Sequence, residues 1–195
     1  MPVCGYGDVS DLDMTKTHTL TVVDTIEDPR LAGYHAGLQL AGYAFGRSLP
    51  ESRVISHEAL EMVADPYGQL WEPWEDGKWV AREIADPVES DTYDIDVTLF
   101  GVTRPVTVSN FVYPQWFGMP NADGSAKLDH LGLCTEPFEV RGGGYIITRD
   151  AADNVVNVYG AKAGIVAGAR KVTNDPFSRT ARRFSTSAAG TPKAG

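Results

Sequence analysis

Residues 50–64 carry the clearest helical pattern in the chain, and this segment limits which folds the chain can adopt. Pro50 suits the first position of a helix, because the N–H group that it lacks would have no helical partner there. Pro66 ends the segment, since the residue before a proline avoids helical backbone angles. Apolar side chains recur at helical spacing, namely Ile55, Ala59, Met62 and Val63. The pattern predicts a helix of about four turns that buries this apolar stripe.

The other regular segments are typical of short strands, because β-branched and aromatic residues dominate them. The strand-like segments are residues 19–26, 93–99, 105–112, 145–149 and 154–159. Residues 67–82 carry Trp71, Trp74 and Trp79 and indicate an aromatic hairpin or loop. Glycine spacing predicts a loop at 33–37. Residues 42–46 are a second glycine-spaced segment, which permits tight turns. Proline and glycine predict a loop at 114–137. We therefore expect an α+β domain with one active-site-type helix, at about 50–65, and several short antiparallel strands.

Charge is distributed unevenly along the chain. Residues 1–140 hold 8 basic and 23 acidic side chains, whereas residues 141–195 hold 9 basic and 3 acidic ones. The sequence predicts a domain at 1–160 followed by a basic, small-residue C-terminal arm at 161–195. Such an arm can contact other protein subunits, or remain a solvated tail. The acidic body makes nucleic-acid binding unexpected except through this arm.

Several protein classes are excluded or disfavoured by composition. No run of about 18 uncharged apolar residues is present, so we expect no membrane-spanning helix. The first residues show no basic segment followed by an apolar run, so we expect no secretory signal. The two cysteines, Cys4 and Cys134, cannot build a disulfide framework. A cytoplasmic location is therefore the default expectation.

The predicted helix contains an H-E-x-x-E motif formed by His57, Glu58 and Glu61. Residues four apart lie on one face of a helix, so His57 and Glu61 can reach the same cation. An imidazole nitrogen and a carboxylate oxygen are both ligands for zinc. Glu58 is turned by about 100° from His57 around the helix axis and could act as a base toward water.

A catalytic zinc takes three protein ligands, so a third must come from elsewhere. Glu83 and Asp86 follow the tryptophan-rich segment, and either could be that ligand while the other orients His57. His35 could be a further ligand or a donor to the transition state. The alternative is a helix whose His57 and Glu61 face water opposite the apolar stripe.

These residues resemble a group of zincin-like H-E-x-x-E metallopeptidases from bacterial and phage genomes. The motif with Asp65-Pro66 and with Glu83-x-x-Asp86 carries the resemblance, together with six further segments over roughly residues 20–160. These segments are Gly33-Tyr34-His35, Asp86-Pro87-Val88-Glu89, residues 108–117, Asp129-His130-Leu131-Gly132, Pro137-Phe138 and Gly143-Gly144-Tyr145.

The resemblance implies a zincin-like domain that binds Zn²⁺ and hydrolyses a peptide substrate with Glu58 as general base. Similarity to gluzincins implies that Glu83 is the third ligand and Asp86 its supporting residue. The chain departs from that pattern, because the second helix ligand is Glu61 rather than a histidine, and the acids are three residues apart. The resemblance also gives an alternative, a non-catalytic phage virion component that assembles through the C-terminal arm, located in the virion.

Overall fold

The computed structural model describes residues 19–23, 33–36, 40–44, 51–161 and 169–171. Within them one α-helix and ten strands form an α+β arrangement, as the sequence predicts. The helix, α1, spans Glu51–Ala64. Its end follows from Pro66, and the Asp65 N–H still donates to the Glu61 carbonyl at 2.8 Å.

Three strands from the first part of the chain form one sheet. They are β1 (Thr19–Val23), β2 (Gly33–Ala36) and β3 (Leu40–Ala44). β3 lies in the middle, parallel to β1 and antiparallel to β2. The predicted loop at 33–37 is therefore wrong for Gly33–Ala36, because pairing with β3 overrides the low strand propensity of glycine.

A larger antiparallel sheet has the order β10-β9-β8-β5-β4. Its strands are β4 (Trp71–Pro73), β5 (Trp79–Ala81), β8 (Tyr145–Arg149), β9 (Val155–Tyr159) and β10 (Ala169–Lys171). The two hairpins β4–β5 and β8–β9 confirm the predictions for residues 67–82 and 145–159. β10 pairs with β9, so this sheet continues past residue 160. The rest of the predicted arm lies outside the described residues, and the division at 160 stays a prediction.

The third sheet is a two-stranded hairpin, β6 (Thr92–Leu99) and β7 (Val102–Ser109). β7 begins three residues before the predicted strand, since Pro105 is accommodated opposite Asp96. Helix α1 lies against β7 and against β2 and β3.

The apolar core is built from the large sheet and from the segments that follow β5 and β7. Its buried members are Val80, Val88, Val112, Trp116, Phe117, Cys134 and Ile146. Trp116 is fully buried and its indole N–H donates to the Glu139 carbonyl at 2.9 Å. This core fixes the segment that follows β5, and that segment carries Asp86.

Candidate metal centre

The buried face of α1 is acidic rather than apolar. The most buried residues of α1 and of the residue that follows it are Val54, Glu58, Glu61 and Asp65, with exposures of 6%, 6%, 4% and 1%. Their spacing of four, three and four residues places them in one stripe along the helix. The predicted burial of the apolar stripe is wrong in part, because Val63 is 75% exposed. The alternative of a water-facing motif is also wrong, since the helix turns its carboxylates toward the protein.

His57, Glu61 and Asp86 form a compact group of metal-ligating side chains. The Nε2 atom of His57 lies 3.2 Å from Oδ1 of Asp86 and 3.3 Å from Oε1 of Glu61. One ligand atom from each residue lies within 4.8 Å of the others. The side chains of these residues are 13%, 5% and 4% exposed, in the order His57, Glu61, Asp86. This buried group could hold a metal ion.

Two parts of the fold bring the three residues together. One helical turn separates His57 from Glu61, as the motif spacing predicts. Asp86 opens a buried 3₁₀ turn, Asp86–Val88, that follows β5 and has Pro87 in its first turn. Proline suits that position because its ring presets the backbone angle. The turn faces α1, and this contact between distant parts of the chain creates the group.

Burial and charge raise the pKa values of Asp86 and Glu58. Burial and the negative charge of Glu61 raise the pKa of Asp86 to about 7, against the opposing effect of His57. Burial also raises the pKa of Glu58 well above its usual range, and His57 opposes this while Glu61 and Asp86 add to it. Both carboxyl groups therefore hold protons more tightly than they would in water.

The pKa of His57 is also raised, although burial acts on it in the opposite direction. Burial alone would lower its pKa, but the charge of Glu61 and the hydrogen bonds to Asp86 and Glu61 raise the pKa well above 6.5. The raised pKa values of His57, Glu58 and Asp86 all favour proton binding, which reduces the net negative charge of the group. A divalent cation would supply the same positive charge from one ion.

Glu58 has a buried carboxylate oxygen without a hydrogen bond. Among the residues that the structure describes, none hydrogen-bonds Oε2 of Glu58, although the side chain is only 6% exposed. Buried polar atoms normally have partners, and an exception often marks a catalytic role or a bound ion or water. Glu58 also feels the charges of His57, Glu61 and Asp86, so it adjoins the group.

The remaining predicted site residues lie outside the three-residue group. Glu83 is buried at 6% exposure, but Asp86 is the acid that joins His57 and Glu61. The group therefore contains the acid to which the gluzincin resemblance gives the supporting role, and the role of Glu83 as a ligand stays a prediction. His35 lies in β2, and its side chain is outside the described part of the chain. Its predicted role stays a prediction.

Sequence reasoning missed Tyr145 as a neighbour of the group. Burial raises the pKa of Tyr145 well above 10, and the charges of Asp86, Glu61 and Glu89 and a side-chain hydrogen bond with Asp86 add to this. Burial and these negative charges therefore keep its phenol protonated more strongly than a phenol in water. The only sequence signal was its place after Gly143-Gly144, one of the segments that carry the resemblance.

Comparisons with family models, with curated proteins and with solved structures give no match to this chain. The function therefore has to be argued from the geometry of the group. Over the described residues, no helix has the length and apolar character needed to cross a membrane.

Proposed function

We propose that the protein is a zinc-dependent peptide hydrolase with a zincin-like fold. In this proposal His57, Glu61 and Asp86 hold the metal, and Glu58 is the general base. The observation that carries it is the buried group of three ligands beside a carboxylate whose Oε2 atom lacks a hydrogen bond. The H-E-x-x-E spacing supports the same assignment from the sequence.

The donor set fits zinc better than other common cations. Zinc accepts imidazole nitrogen together with carboxylate oxygen, and three protein ligands are usual when a position is left for water or substrate. Mg²⁺ and Ca²⁺ prefer sites made of oxygen alone. Two carboxylates and a neutral imidazole carry two negative charges, so a divalent cation neutralises a charge that is costly to bury.

In the proposed hydrolysis, the cation and the protein have separate roles. A bound cation acts as a Lewis acid and makes a water molecule more acidic. Glu58 would accept the proton of the attacking water and later pass it to the leaving amine. Burial raises the pKa of Glu58, which makes its carboxylate a stronger base than one in water.

Replacing Glu58 tests the proposal directly. We expect zinc-loaded wild-type protein to hydrolyse casein, chosen as an unfolded protein probe, and a chelator to abolish this activity. Glu58→Gln should lower the rate by roughly 100-fold to 10,000-fold, the usual contribution of a general base, and leave zinc content unchanged. Peptide release followed by fluorescence, beside metal analysis, measures both quantities.

The matched control is Glu75→Gln, since Glu75 is exposed in the turn between β4 and β5. It should keep wild-type activity. Full activity in Glu58→Gln, or no hydrolysis by wild-type protein that carries zinc, would refute the proposal.

The alternative of a virion component assembled through residues 161–195 stays a prediction, because nothing in the described part of the chain bears on it.

A further inference from the structure

A surface pocket with aromatic walls shares no residue with the candidate metal centre. It has a volume of about 510 Å³, and the aromatic side chains that line it are those of Trp74, Phe117 and Phe138. Two acidic residues, Glu75 and Glu136, also line this aromatic pocket, and both are exposed. Aromatic walls combined with a few charged groups are typical of binding sites.

Phe138 has an unusual backbone conformation at this pocket. Its φ angle is 60°, a value that bulky residues rarely adopt. Its N–H donates to the Trp116 carbonyl at 3.0 Å, and its ring centroid lies 5.3 Å from that of Trp116 and 6.3 Å from that of Trp74. Backbone conformations of this kind persist where the surrounding structure holds them, and they are frequent at ligand-binding positions. The core thus fixes one wall of the aromatic pocket.

The aromatic rings and carboxylates of the pocket favour a ligand that carries guanidinium groups. The face of an aromatic ring attracts a cation, and Nζ of Lys78 lies 5.7 Å from the centroid of the Trp74 ring. A guanidinium group stacks on aromatic rings and also donates paired hydrogen bonds to a carboxylate. Because Glu75 and Glu136 lie beside the rings, the pocket offers both contacts to one ligand.

The C-terminal arm contains a segment whose chemistry matches the pocket. Residues 179–184 read Arg-Thr-Ala-Arg-Arg-Phe, with three arginines and no acidic residue. Residues 1–140 hold 23 acidic and 8 basic side chains, so this segment and the preceding domain carry opposite charge. Opposite charges favour the approach of the segment to the domain.

The strand order of the large sheet directs the arm toward the pocket. Successive strands of this sheet are antiparallel, so its two edge strands, β10 and β4, point in the same direction. Lys171, the last residue of β10, lies in the same row of the sheet as Glu72 of β4. β4 ends one residue later at Pro73, which lines the pocket and precedes Trp74. The chain therefore leaves β10 at the end of the sheet that carries the pocket.

The arm is also long enough to reach the pocket of its own chain. Four strand spacings separate β10 from β4, and at about 4.8 Å each they amount to about 19 Å. The eight residues from Lys171 to Arg179 span up to about 26 Å to 29 Å when they are extended. The segment at 179–184 is thus within reach of the aromatic pocket without the help of a second chain.

We propose that residues 179–184 bind in the aromatic pocket of their own chain, with arginine side chains against the aromatic rings and beside the carboxylates of Glu75 and Glu136. This inference is independent of the proposed function, because it involves no residue of the metal centre. It gives the basic arm a binding site on its own domain.

Photo-cross-linking in the intact chain tests where the segment binds. Phe184 is replaced by p-benzoylphenylalanine, a photoreactive amino acid that keeps the phenyl ring. Irradiation should link it to residues 73–75, 117 or 136–138 of the same chain, as identified by mass spectrometry of the monomer band. The matched control places the same amino acid at Phe100, which is exposed at the tip of the β6–β7 hairpin, and it should give no link to these residues.

Trypsin cleavage after Arg179 and Arg182 tests the contribution of the carboxylates. The double variant Glu75→Gln, Glu136→Gln should be cleaved there roughly 2-fold to 30-fold faster, because it loses two exposed ion pairs and cleavage follows the population of unbound arm. The matched control is the double variant Asp94→Asn, Asp96→Asn, which neutralises two exposed acids on β6 and should be cleaved at the wild-type rate.

Three results would overturn the inference. The first is a cross-link from position 184 to other parts of the chain, or no cross-link. The second is a cleavage rate that the Glu75→Gln, Glu136→Gln variant leaves unchanged. The third is a cross-link to the pocket that appears only in a dimer band, which would assign the pocket to the arm of a second copy.

Discussion

Asp86 shows how burial and charge act on one side chain of the metal centre. Its side chain is buried, and its nearest charged neighbours are His57 and Glu61. Because burial and Glu61 raise its pKa from 3.8 to about 7, the folded metal-free protein keeps a proton that the unfolded chain loses at lower pH. The raised pKa values of His57 and Glu58 act in the same direction.

These shifts predict how the stability of the metal-free protein depends on pH. Between pH 4 and 7, the interval given by Asp86, this carboxyl group binds more protons in the folded state than in the unfolded state. The free energy of unfolding should therefore fall as pH rises, because the stabilisation present at low pH is lost through the folded pKa. Urea unfolding in the presence of a chelator, at pH 5 and pH 8, measures this difference.

Asp86→Asn removes one of the groups responsible and should reduce the difference between the two pH values. A free energy of unfolding that stays constant or rises over this interval would contradict the protonation that we assign to the group. The control is Asp96→Asn, because Asp96 is exposed on β6.

The placement of a single residue can be predicted where it depends only on its near neighbours in the sequence. The spacing of His57 and Glu61 gave their common helix face, and the structure keeps them together. Burial of that face was not predictable, since amphipathic reasoning assigns carboxylates to solvent. Tyr145 could not be found either, because its neighbour Asp86 lies in a distant segment and only tertiary packing joins them.

At the scale of elements, the sequence predicted those whose ends are marked by proline, glycine or turn residues. Helix α1 and the hairpins β4–β5, β6–β7 and β8–β9 all follow such marks. Glycine spacing predicts a loop at Gly33–Ala36. β3 nevertheless pairs with it, and such pairing depends on distant residues that local patterns do not describe.

Phe100, at the tip of the β6–β7 hairpin, has a backbone conformation that is unfavourable for a bulky residue. Phe100 and Gly101 have φ angles of 51° and 79°, and positive values at both central positions are typical of a type I′ turn. Phe100 is fully exposed, so its side chain gains no packing in return for this backbone conformation.

We expect Phe100→Asn to raise the free energy of unfolding by roughly 1 kcal/mol, because asparagine adopts the left-handed conformation more readily. Gly101→Ala should have the opposite effect, since alanine is strained at this φ angle. Urea denaturation of the three proteins measures both changes. A less stable Phe100→Asn protein would show that the turn does not limit stability.

For the whole molecule, the ligand group joins two distant parts of the fold. His57 and Glu61 belong to α1, whereas Asp86 belongs to the segment that the core and β8 hold in place. A cation bound by all three would therefore connect the helix to the large sheet. Folding brings three buried carboxyl groups near one imidazole, namely those of Glu58, Glu61 and Asp86. Such an excess of buried negative charge is costly without a counter-charge.

The central claim is that this group binds zinc, and metal content tests it most directly. Elemental mass spectrometry of protein purified without chelator or nickel should find about one zinc per chain, as expected for a single three-ligand site. His57→Ala should lose the zinc, whereas His130→Ala, at an exposed histidine outside the group, should keep it. A wild-type protein without zinc, or equal zinc content in His57→Ala, would contradict the account.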